Sequence, residues 1–287
     1  MKKLTLAALS CLALSATAQT TEKKPKNEVT AYAKIGIGYG FVSSGIVSTY
    51  NGSERVTPTM RTIDMKPASF TAGQSAEISV GALFGRHVGA ELRAYIVTGT
   101  PEYTYVTEGF VSSGGITMYD KETVTTRART PMVLMPSMVV QSGGEKVNIY
   151  SRFGLAIPLS NKIDIKDDYE VAGNPFRGHA EYEMTSKMKL GFTGAAGVSF
   201  KAGNKIRIWV EANMLSLSPI MDEMVLTKYT VNGVNELANV SARNKRVNFD
   251  LSGQEAFPLN EDKPAMSIAE ALPYSNAGLS AGISMSF

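Results

Sequence analysis

Residues 29–41 read VTAYAKIGIGYGF, and every odd position of this stretch is apolar. The even positions hold three glycines together with Thr30, Tyr32 and Lys34. A repeat of two residues is typical of a β-strand whose two faces meet different surroundings. The stretch therefore predicts a strand with one apolar face and one face of small or polar residues.

The same repeat returns along the chain and ends it, where Leu279, Ile283 and Phe287 lie among glycines and serines. The alternation is less regular in one segment, 124–141. Pro131 has no N–H to donate to a hydrogen bond with a neighbouring strand, so we expect a bulge or kink there. We predict eight strands from these repeats: residues 29–41, 69–84, 88–96, 124–141, 147–157, 187–198, 206–214 and 277–287.

Short and long connections alternate between these strands. The short ones contain turn-forming residues, at 85–87, 142–145 and 202–205, and the long ones cover 43–65, 98–123, 160–184 and 217–274. Outer-membrane barrels show this asymmetry, with short periplasmic turns and long extracellular loops. The sequence thus predicts an all-β fold: a closed antiparallel up-and-down transmembrane β-barrel of about eight strands with long extracellular loops.

The fourth long connection leaves the strand count open between eight and ten. Asn232 and Gly233 form a strong hairpin signal within residues 225–235, and residues 247–251 alternate again. We expect some strands to continue above the membrane here as a β-ribbon, whose exposed edges could pair with a strand of a partner.

The two faces of the predicted strands fit lipid outside and side chains inside. The non-apolar face is rich in Gly, Ser and Thr, which lets a narrow barrel close around a crowded interior. Charges of both signs on this face can pair, since an unpaired buried charge is costly. The predicted lumen charge network consists of Lys34, Glu77, Glu91, Arg93, Arg127, Arg129, Arg152, Lys189, Arg207 and Glu211. The predicted aromatic girdles consist of Tyr39, Phe41, Phe70, Phe84, Phe153, Phe192, Phe200 and Phe287.

The N-terminus has the parts of a secretory signal peptide. A basic start and an apolar stretch at 4–14 precede the small residues Ala16 and Ala18, where cleavage is expected. The apolar stretch is too short to span a bilayer as a helix, which takes about 20 residues. We therefore expect three parts: a signal peptide at 1–18, a polar periplasmic lead-in at 19–28 and the outer-membrane barrel domain at 29–287.

Removal of the signal peptide changes the chemistry available to the chain. The sole cysteine, Cys11, is lost with it, so the mature chain has no disulfide and no thiolate metal site. Two of the 29 Lys and Arg are lost as well, which leaves 27 against 26 Asp and Glu and gives no electrostatic reason to expect nucleic acid. No later run of 18 apolar residues occurs, so only a closed barrel could pair every backbone group in lipid.

Nearly the whole mature chain resembles the small outer-membrane barrels of the OmpA transmembrane-domain, OmpX and OmpW class. The likeness rests on the Gly-rich first strand, the asymmetry of the connections and the last strand, 277–287. It implies a place in the outer membrane of a Gram-negative bacterium, in contact with outer-membrane lipid and lipopolysaccharide. It also implies that the last strand resembles the signal read by the barrel-assembly machinery, carried here by Leu279, Ile283, Met285 and Phe287.

We predict a non-enzymatic barrel with a structural role or a role in adhesion and surface recognition, in which the loops bind an extracellular ligand. The alternative is a narrow pore or transporter for small solutes, although eight strands enclose just enough room for side chains. The third hypothesis is a lipid A-modifying enzyme.

A catalytic hypothesis would depend on His179. It lies in the third long connection near Asp167, Asp168 and Glu181, and it loosely resembles the histidine of lipid A-modifying barrels. Those enzymes also place a serine against the base, and no spacing rule singles out Ser186 for that role. The acidic residues nearby lack the pattern of a calcium loop. We therefore expect no catalytic, cofactor-binding or metal site.

Overall fold

The computed structural model describes residues 29–43, 47–99, 101–113, 116–160, 162–172, 175–252 and 260–287. The predicted signal peptide at 1–18 and lead-in at 19–28 lie outside the described residues. No helix among the described residues has the length and apolar character needed to cross a membrane.

Strands make up nearly all of the regular structure in the described residues. In chain order they are β1 (Val29–Val42), β2 (Val47–Val56), β3 (Arg61–Pro67), β4 (Gly73–Phe84), β5 (Val88–Val97), β6 (Glu102–Ser113), β7 (Ile116–Ala128), β8 (Met132–Gln141), β9 (Val147–Pro158), β10 (Lys162–Val171), β11 (Arg177–Lys187), β12 (Gly191–Lys201), β13 (Ile206–Ser216), β14 (Ile220–Val231), β15 (Val234–Asn235), β16 (Arg246–Asp250), β17 (Ala265–Ile268) and β18 (Asn276–Ser286). A 3₁₀ helix (Leu237–Asn239) and a short α-helix, α1 (Ala242–Lys245), lie between β15 and β16.

Eight of these strands close into an antiparallel barrel, in the order β1-β18-β13-β12-β9-β8-β5-β4, with β4 returning to β1. The three short connections, at 85–87, 142–146 and 202–205, join strands that pair directly. The end of the barrel at which they lie is called the turn end. The C-terminal strand closes the ring, because β18 pairs with β1 on one side and with β13 on the other. The predicted closed barrel of eight strands is confirmed.

The outer surface of the barrel is apolar, as the alternation predicts. Ile37 is 73% exposed while its neighbour Gly36 is buried, and the same contrast recurs along β4, β13 and β18. Seven of the eight predicted girdle aromatics are exposed: Tyr39, Phe41, Phe84, Phe153, Phe192, Phe200 and Phe287. The prediction that Phe70 faces lipid is wrong, because the chain turns at residues 70–71 and β4 begins only at Gly73, whose φ is +102°.

A second sheet continues the chain beyond the end of the barrel that lies opposite the turn end. We call it the upper sheet. Its strand order is β17-β16-β14-β11-β10-β7-β6-β2-β3, and β15 forms a hairpin with β14. The pairs β2–β6 and β16–β17 are parallel, and the others are antiparallel. Strands β3 and β17 form its two edges.

The four connections predicted as long loops are therefore largely strands, which corrects that prediction. They alternate as well, as Ile163 and Ile165 do with Asp164 and Lys166, but charged residues take the place of glycine on the polar face. The ribbon expected only within 217–274 extends to all four connections. Pairing between neighbouring connections satisfies backbone groups that irregular loops would leave to water.

The segment predicted as one strand over 124–141 is two strands in two sheets. Strand β7 ends at Ala128 in the upper sheet, and β8 begins at Met132 in the barrel. Between them Thr130 has a positive φ of 35°, and the carbonyl of Pro131 accepts a hydrogen bond from the Val97 N–H at 2.9 Å. The kink expected from proline is thus a complete break, because Pro131 has no N–H with which to continue a ladder.

Glycines on the inner face of the barrel make room for Trp209, the single tryptophan of the chain. A Cβ on Gly36 would collide with Trp209 Cζ2, and a Cβ on Gly282 would lie 2.6 Å from the same atom. The Gly282 Cβ would also collide with the backbone carbonyl of Ile35, which belongs to the paired strand. The glycine-rich inner face is therefore a packing requirement of a narrow barrel that encloses a large side chain.

Replacing Gly282 by Val should keep the barrel from closing, because the side chain would collide with Trp209 and the Ile35 carbonyl. We expect the free energy of unfolding to fall by about 3 kcal/mol, the upper range for overpacked cores. The fraction that migrates as folded protein in unheated gels after refolding in detergent measures the effect. Ala281→Val is the control, since Ala281 is exposed on the outer face of β18. Equal folding of the two variants would contradict the packing argument.

Candidate functional site

The inside of the barrel holds six charged side chains in mutual contact, which we call the lumen network. All six are at most 8% exposed, and each comes from the inner face of a barrel strand: Lys34, Glu77, Glu91, Arg93, Arg152 and Glu211. The structure brings these six of the ten predicted lumen charges together. Three positive charges face three negative ones, so the network is balanced.

Arg152 lies at the centre of the lumen network. Its guanidinium forms close ion pairs with Glu91 and Glu211, and it lies 3.6 Å from Glu77. Arg93 Nη1 lies 2.9 Å from Glu77 Oε2 and 3.4 Å from Glu211 Oε1. Because every carboxylate faces a guanidinium, mutual attraction and hydrogen bonds offset the cost of taking these charges out of water.

Three aromatic side chains complete the network. The hydroxyls of Tyr32 and Tyr150 donate to Glu91 and Glu211 respectively, each at 3.0 Å. The Lys34 ammonium lies 4.5 Å from the centre of the Trp209 ring, which is a cation–π distance.

Sequence reasoning gave these aromatic residues no part in the network. A signal was present, since each of them stands at an inner-face position where glycine and serine are usual in this chain. Each also packs against a glycine: a Cβ on Gly81 would collide with Tyr32, and one on Gly197 would lie 2.7 Å from Tyr150. An aromatic residue on a glycine-rich face therefore indicates a side chain that reaches across the lumen.

An apolar cap fills the barrel between the lumen network and the upper sheet. Phe70 has no exposed surface, and its ring centre lies 5.8 Å from that of Tyr103 and 5.4 Å from that of Tyr274. The Phe70 N–H donates to the Pro273 carbonyl at 2.7 Å, and the Thr71 hydroxyl donates to the Tyr274 carbonyl at 2.6 Å. The other buried residues of the cap are Ala68, Tyr95, Val97, Ala128, Val133, Met135, Ala156, Ile163, Met184, Leu215, Leu217, Met221 and Leu272. Charges and a hydrophobic cluster thus fill the interior at two successive levels.

Three of the predicted lumen charges lie outside the barrel, which corrects that prediction. Arg127 and Arg129 belong to the upper sheet and its junction, and Lys189 lies in the exposed segment between β11 and β12. The prediction ran the barrel strands past the points where the chain crosses into the upper sheet. Arg129 instead forms ion pairs with Asp164 and Glu183, at 2.6 and 2.7 Å, and the hydrogen bond with Asp164 raises the pKa of Arg129.

Arg207 lies inside the barrel but apart from the lumen network, near the turn end. Its Nε donates to the Ser199 hydroxyl at 3.0 Å, and its Nη1 donates to the Glu145 carbonyl at 3.0 Å. Further bonds reach the carbonyls of Gly144 and Ser199. Within the described residues its hydrogen-bond acceptors are therefore neutral.

Three of the four residues expected to carry the barrel-assembly signal, Leu279, Ile283 and Met285, lie exposed on the outer face of β18. The fourth, Phe287, directly follows the strand and is also exposed. Their side chains line up along the strand that closes the ring. Their recognition by the assembly machinery stays a prediction.

His179 lies in the upper sheet on the face of β11 opposite the cap residue Met184. Its Nδ1 is 2.7 Å from Asp168 Oδ1, and its Nε2 is 3.0 Å from Glu181 Oε1. Hydrogen bonds to Glu181 and Asp168 raise the pKa of His179 above its ordinary 6.5. The bond to His179 in turn lowers the pKa of Glu181 to about 2. Both ring nitrogens of His179 lie within hydrogen-bond distance of a carboxylate, so these contacts favour the protonated imidazole, in which both nitrogens donate.

The serine considered beside His179 is not its partner. Ser186 is buried, and it stands an odd number of positions from His179 on β11, so the two side chains point to opposite faces. Among the described residues, no group of three or more His, Cys, Asp and Glu side chains is arranged to hold a metal ion.

Comparison with known proteins gives a family match and distant structural likenesses, among them Ail and OmpT. A family model described as outer membrane protein beta-barrel domain matches residues 4–243. Ail, the attachment invasion locus protein of Yersinia pestis, is 8% identical, with 92% of this chain and 100% of that chain covered and a TM-score of 0.30. OmpT, an outer membrane protein of Vibrio cholerae folded in vitro, is 8% identical, with 93% and 100% covered and a TM-score of 0.16. No curated protein matches the chain. At these TM-scores neither structure carries an argument, whereas the family match covers most of the chain.

Replacing Glu211 by Gln should destabilise the barrel strongly. The carboxylate faces Arg152 and Arg93 and accepts from Tyr150, so its loss leaves buried positive charge without compensation. We expect a loss of about 3–5 kcal/mol in the free energy of unfolding. Urea unfolding in detergent, followed by gel mobility, measures it. Glu108→Gln is the control, because Glu108 pairs with the exposed Arg55 and its replacement should destabilise the protein far less. Equal losses in both variants would contradict the role given to the network.

The titration of His179 tests the cluster on the upper sheet. NMR of histidine-labelled protein, which has two histidines, should show His179 titrating above 6.5. The stabilisation that this shift represents is complete below pH 6.5 and is lost as the pH rises through the raised pKa. Glu181→Gln should lower the pKa of His179, because it removes the larger cause of the shift. Asp164→Asn is the control and should leave the pKa of His179 unchanged, because Asp164 pairs with Arg129. An unshifted His179 in the unaltered protein would refute the cluster.

Proposed function

Since the chain belongs to the family of outer-membrane protein β-barrel domains, we propose that this outer-membrane barrel acts in adhesion or surface recognition through its upper sheet, without catalysis. The barrel anchors the chain in the membrane. The upper sheet is the part that meets an extracellular ligand or stiffens the cell surface.

The observation that carries this proposal is the contrast between a barrel that side chains block at two levels and a large exposed sheet. The lumen network and the apolar cap occupy the interior, while ten strands of the described chain form the upper sheet. Eight strands leave an interior that side chains can fill completely. In this proposal the side chains inside the barrel stabilise the fold, and the upper sheet contacts the ligand.

Edge strand β3 supports a specific mode of contact. All seven of its residues are exposed, and in the described chain it has a neighbour, β2, on one side only. Ile63 and Met65 present apolar side chains on it. An exposed edge can accept an extended segment by strand addition, in which main-chain hydrogen bonds give affinity and side chains give specificity. We infer that the ligand offers an extended peptide segment to β3.

Two further partners follow from the barrel itself. Outer-membrane lipid and lipopolysaccharide would contact the exposed apolar band and its aromatic residues. The barrel-assembly machinery would contact β18, whose outer face carries the exposed Leu279, Ile283 and Met285, together with Phe287, which follows it.

A pore is the alternative, and the two levels of side chains that block the barrel argue against it. Purified protein in planar bilayers should leave the conductance at the level of the bare bilayer, because the lumen network and the cap occupy the path. Steady conductance steps would contradict this expectation. The lipid A of cells with and without the protein should have the same mass spectrum, and a change abolished by His179→Ala would instead favour the enzymatic hypothesis.

Adhesion tests the proposed function directly. Cells that display the protein should bind to surfaces coated with extracellular-matrix proteins, or to cells of the same strain, several-fold more than cells without it. Ile63→Asp combined with Met65→Asp should remove most of this excess, because charges on an edge strand hinder pairing. Ile268→Asp, at an exposed residue of the other edge strand, is the matched control. No excess binding to either surface would refute the adhesion role, and equal losses in both variants would refute the role of β3.

A further inference from the structure

The barrel contains a cavity of about 350 Å³ between the lumen network and the turn end. Its lining includes Lys34, Tyr150, Ser199, Arg207 and Trp209. We propose that this cavity binds a small oxyanion, such as inorganic phosphate or a carboxylate. This site lies at the opposite end of the barrel from the upper sheet, and the proposal does not depend on the surface role.

The charged side chains inside the barrel have a net charge of one positive unit. The lumen network balances three cations against three carboxylates, and Arg207 adds a fourth cation beside the cavity. Its hydrogen bonds in the described chain go to the Ser199 hydroxyl and to backbone carbonyls. A partly buried cation without a counter-charge is costly, and one bound monoanion would offset that cost.

Two donors on the cavity wall are available to a ligand. Trp209 is 1% exposed, and its Nε1 has no hydrogen-bond partner among the described residues. The Lys34 ammonium lies 3.7 Å from Glu91 Oε2 and 4.0 Å from Glu211 Oε2, which is too far for a hydrogen bond. A buried donor without a partner destabilises the fold, so an acceptor placed near these groups is favoured.

Of the two acidic residues that line the cavity, Glu145 is exposed at the turn end, and Glu91 does not compete for the cations. Both carboxylate oxygens of Glu91 are engaged, since Oε1 accepts from Arg152 and Oε2 accepts from the Tyr32 hydroxyl. The hydroxyl groups of Ser199, Ser284 and Ser286 line the cavity as further donors. An oxyanion can accept from ammonium, guanidinium, indole and hydroxyl groups at once, because each of its oxygens has more than one lone pair.

The charged side chains around the entrance of the cavity, at the turn end, also favour an anion. In and next to the three turns, Arg86, Lys146, Lys201 and Lys205 are exposed, and Glu145 is the one carboxylate among these side chains. A cationic rim around a low-dielectric mouth raises the local concentration of anions and steers them inward. The rim, the unpaired donors and the excess positive charge therefore point to one class of ligand.

Trp209 provides the measurement, because the chain has no second tryptophan. Protein in detergent micelles is titrated with sodium phosphate or, separately, with sodium acetate, at an ionic strength held constant with sodium chloride. We expect a saturable change in Trp209 emission with at least one of the two. Arg207→Gln and Lys34→Met should each raise the dissociation constant about tenfold, which corresponds to about 1.4 kcal/mol. Arg127→Gln, in the upper sheet, is the control and should bind as the unaltered protein does.

The result that overturns the proposal is the absence of saturation with both phosphate and acetate in the unaltered protein. An unchanged dissociation constant in Arg207→Gln would overturn it too. That variant leaves the lumen network intact, so it remains a fair test even if Lys34→Met fails to fold. Preference between the two anions identifies the oxyanion. A failure here would leave the adhesion test untouched, because that test depends on β3.

Discussion

Hydrocarbon offers no partner for a hydrogen bond, so every backbone N–H and C=O in the membrane must pair within the chain. Here the pairing is completed when β18 joins β1, the first and last described strands. Closure at eight strands fixes a narrow interior, and the other inner features follow from that width. Glycines stand where Trp209 and the tyrosines need room, and each of the six buried charges of the lumen network lies within reach of an opposite charge.

The same constraint explains why the two sheets differ. Inside the membrane a strand without a neighbour is not tolerated, and the barrel has none. Above the membrane, water can bond to a free edge, so β3 and β17 can each have a neighbour on one side only. The polar faces differ for a similar reason. The inner face of the barrel is mostly glycine and serine around a balanced network, whereas the upper sheet carries exposed pairs such as Arg129 with Asp164.

Alternation with a period of two was enough to predict the barrel, because lipid on one face and a crowded lumen on the other select different residue types at alternate positions of each barrel strand. It could not locate the points where strands leave the barrel. Arg127 and Lys189 stand at polar positions of the alternation, and a strand in water alternates with the same period of two as a strand in lipid. The pattern therefore could not show that these residues lie outside the barrel. Phe70 stands at an apolar position of the alternation, but the chain turns before Gly73 and the Phe70 side chain is buried in the cap. Contacts across the lumen, such as Arg152 with Glu211, depend on which strands face each other after closure, and local pattern does not encode that.

The apolar cap contains hydrogen bonds between segments that lie far apart in the sequence and are therefore synthesised at different times. The Thr71 hydroxyl reaches the Tyr274 carbonyl, 203 positions later, and the Asn276 amide donates back to the Thr71 carbonyl. Neither bond can form before the final strand has arrived, and contacts between residues so distant in sequence form slowly. The end of the barrel next to the upper sheet is therefore held closed by contacts that exist only once the last strand is in place. A barrel that lacked β18 would lack both of these hydrogen bonds as well as the pairing with β1.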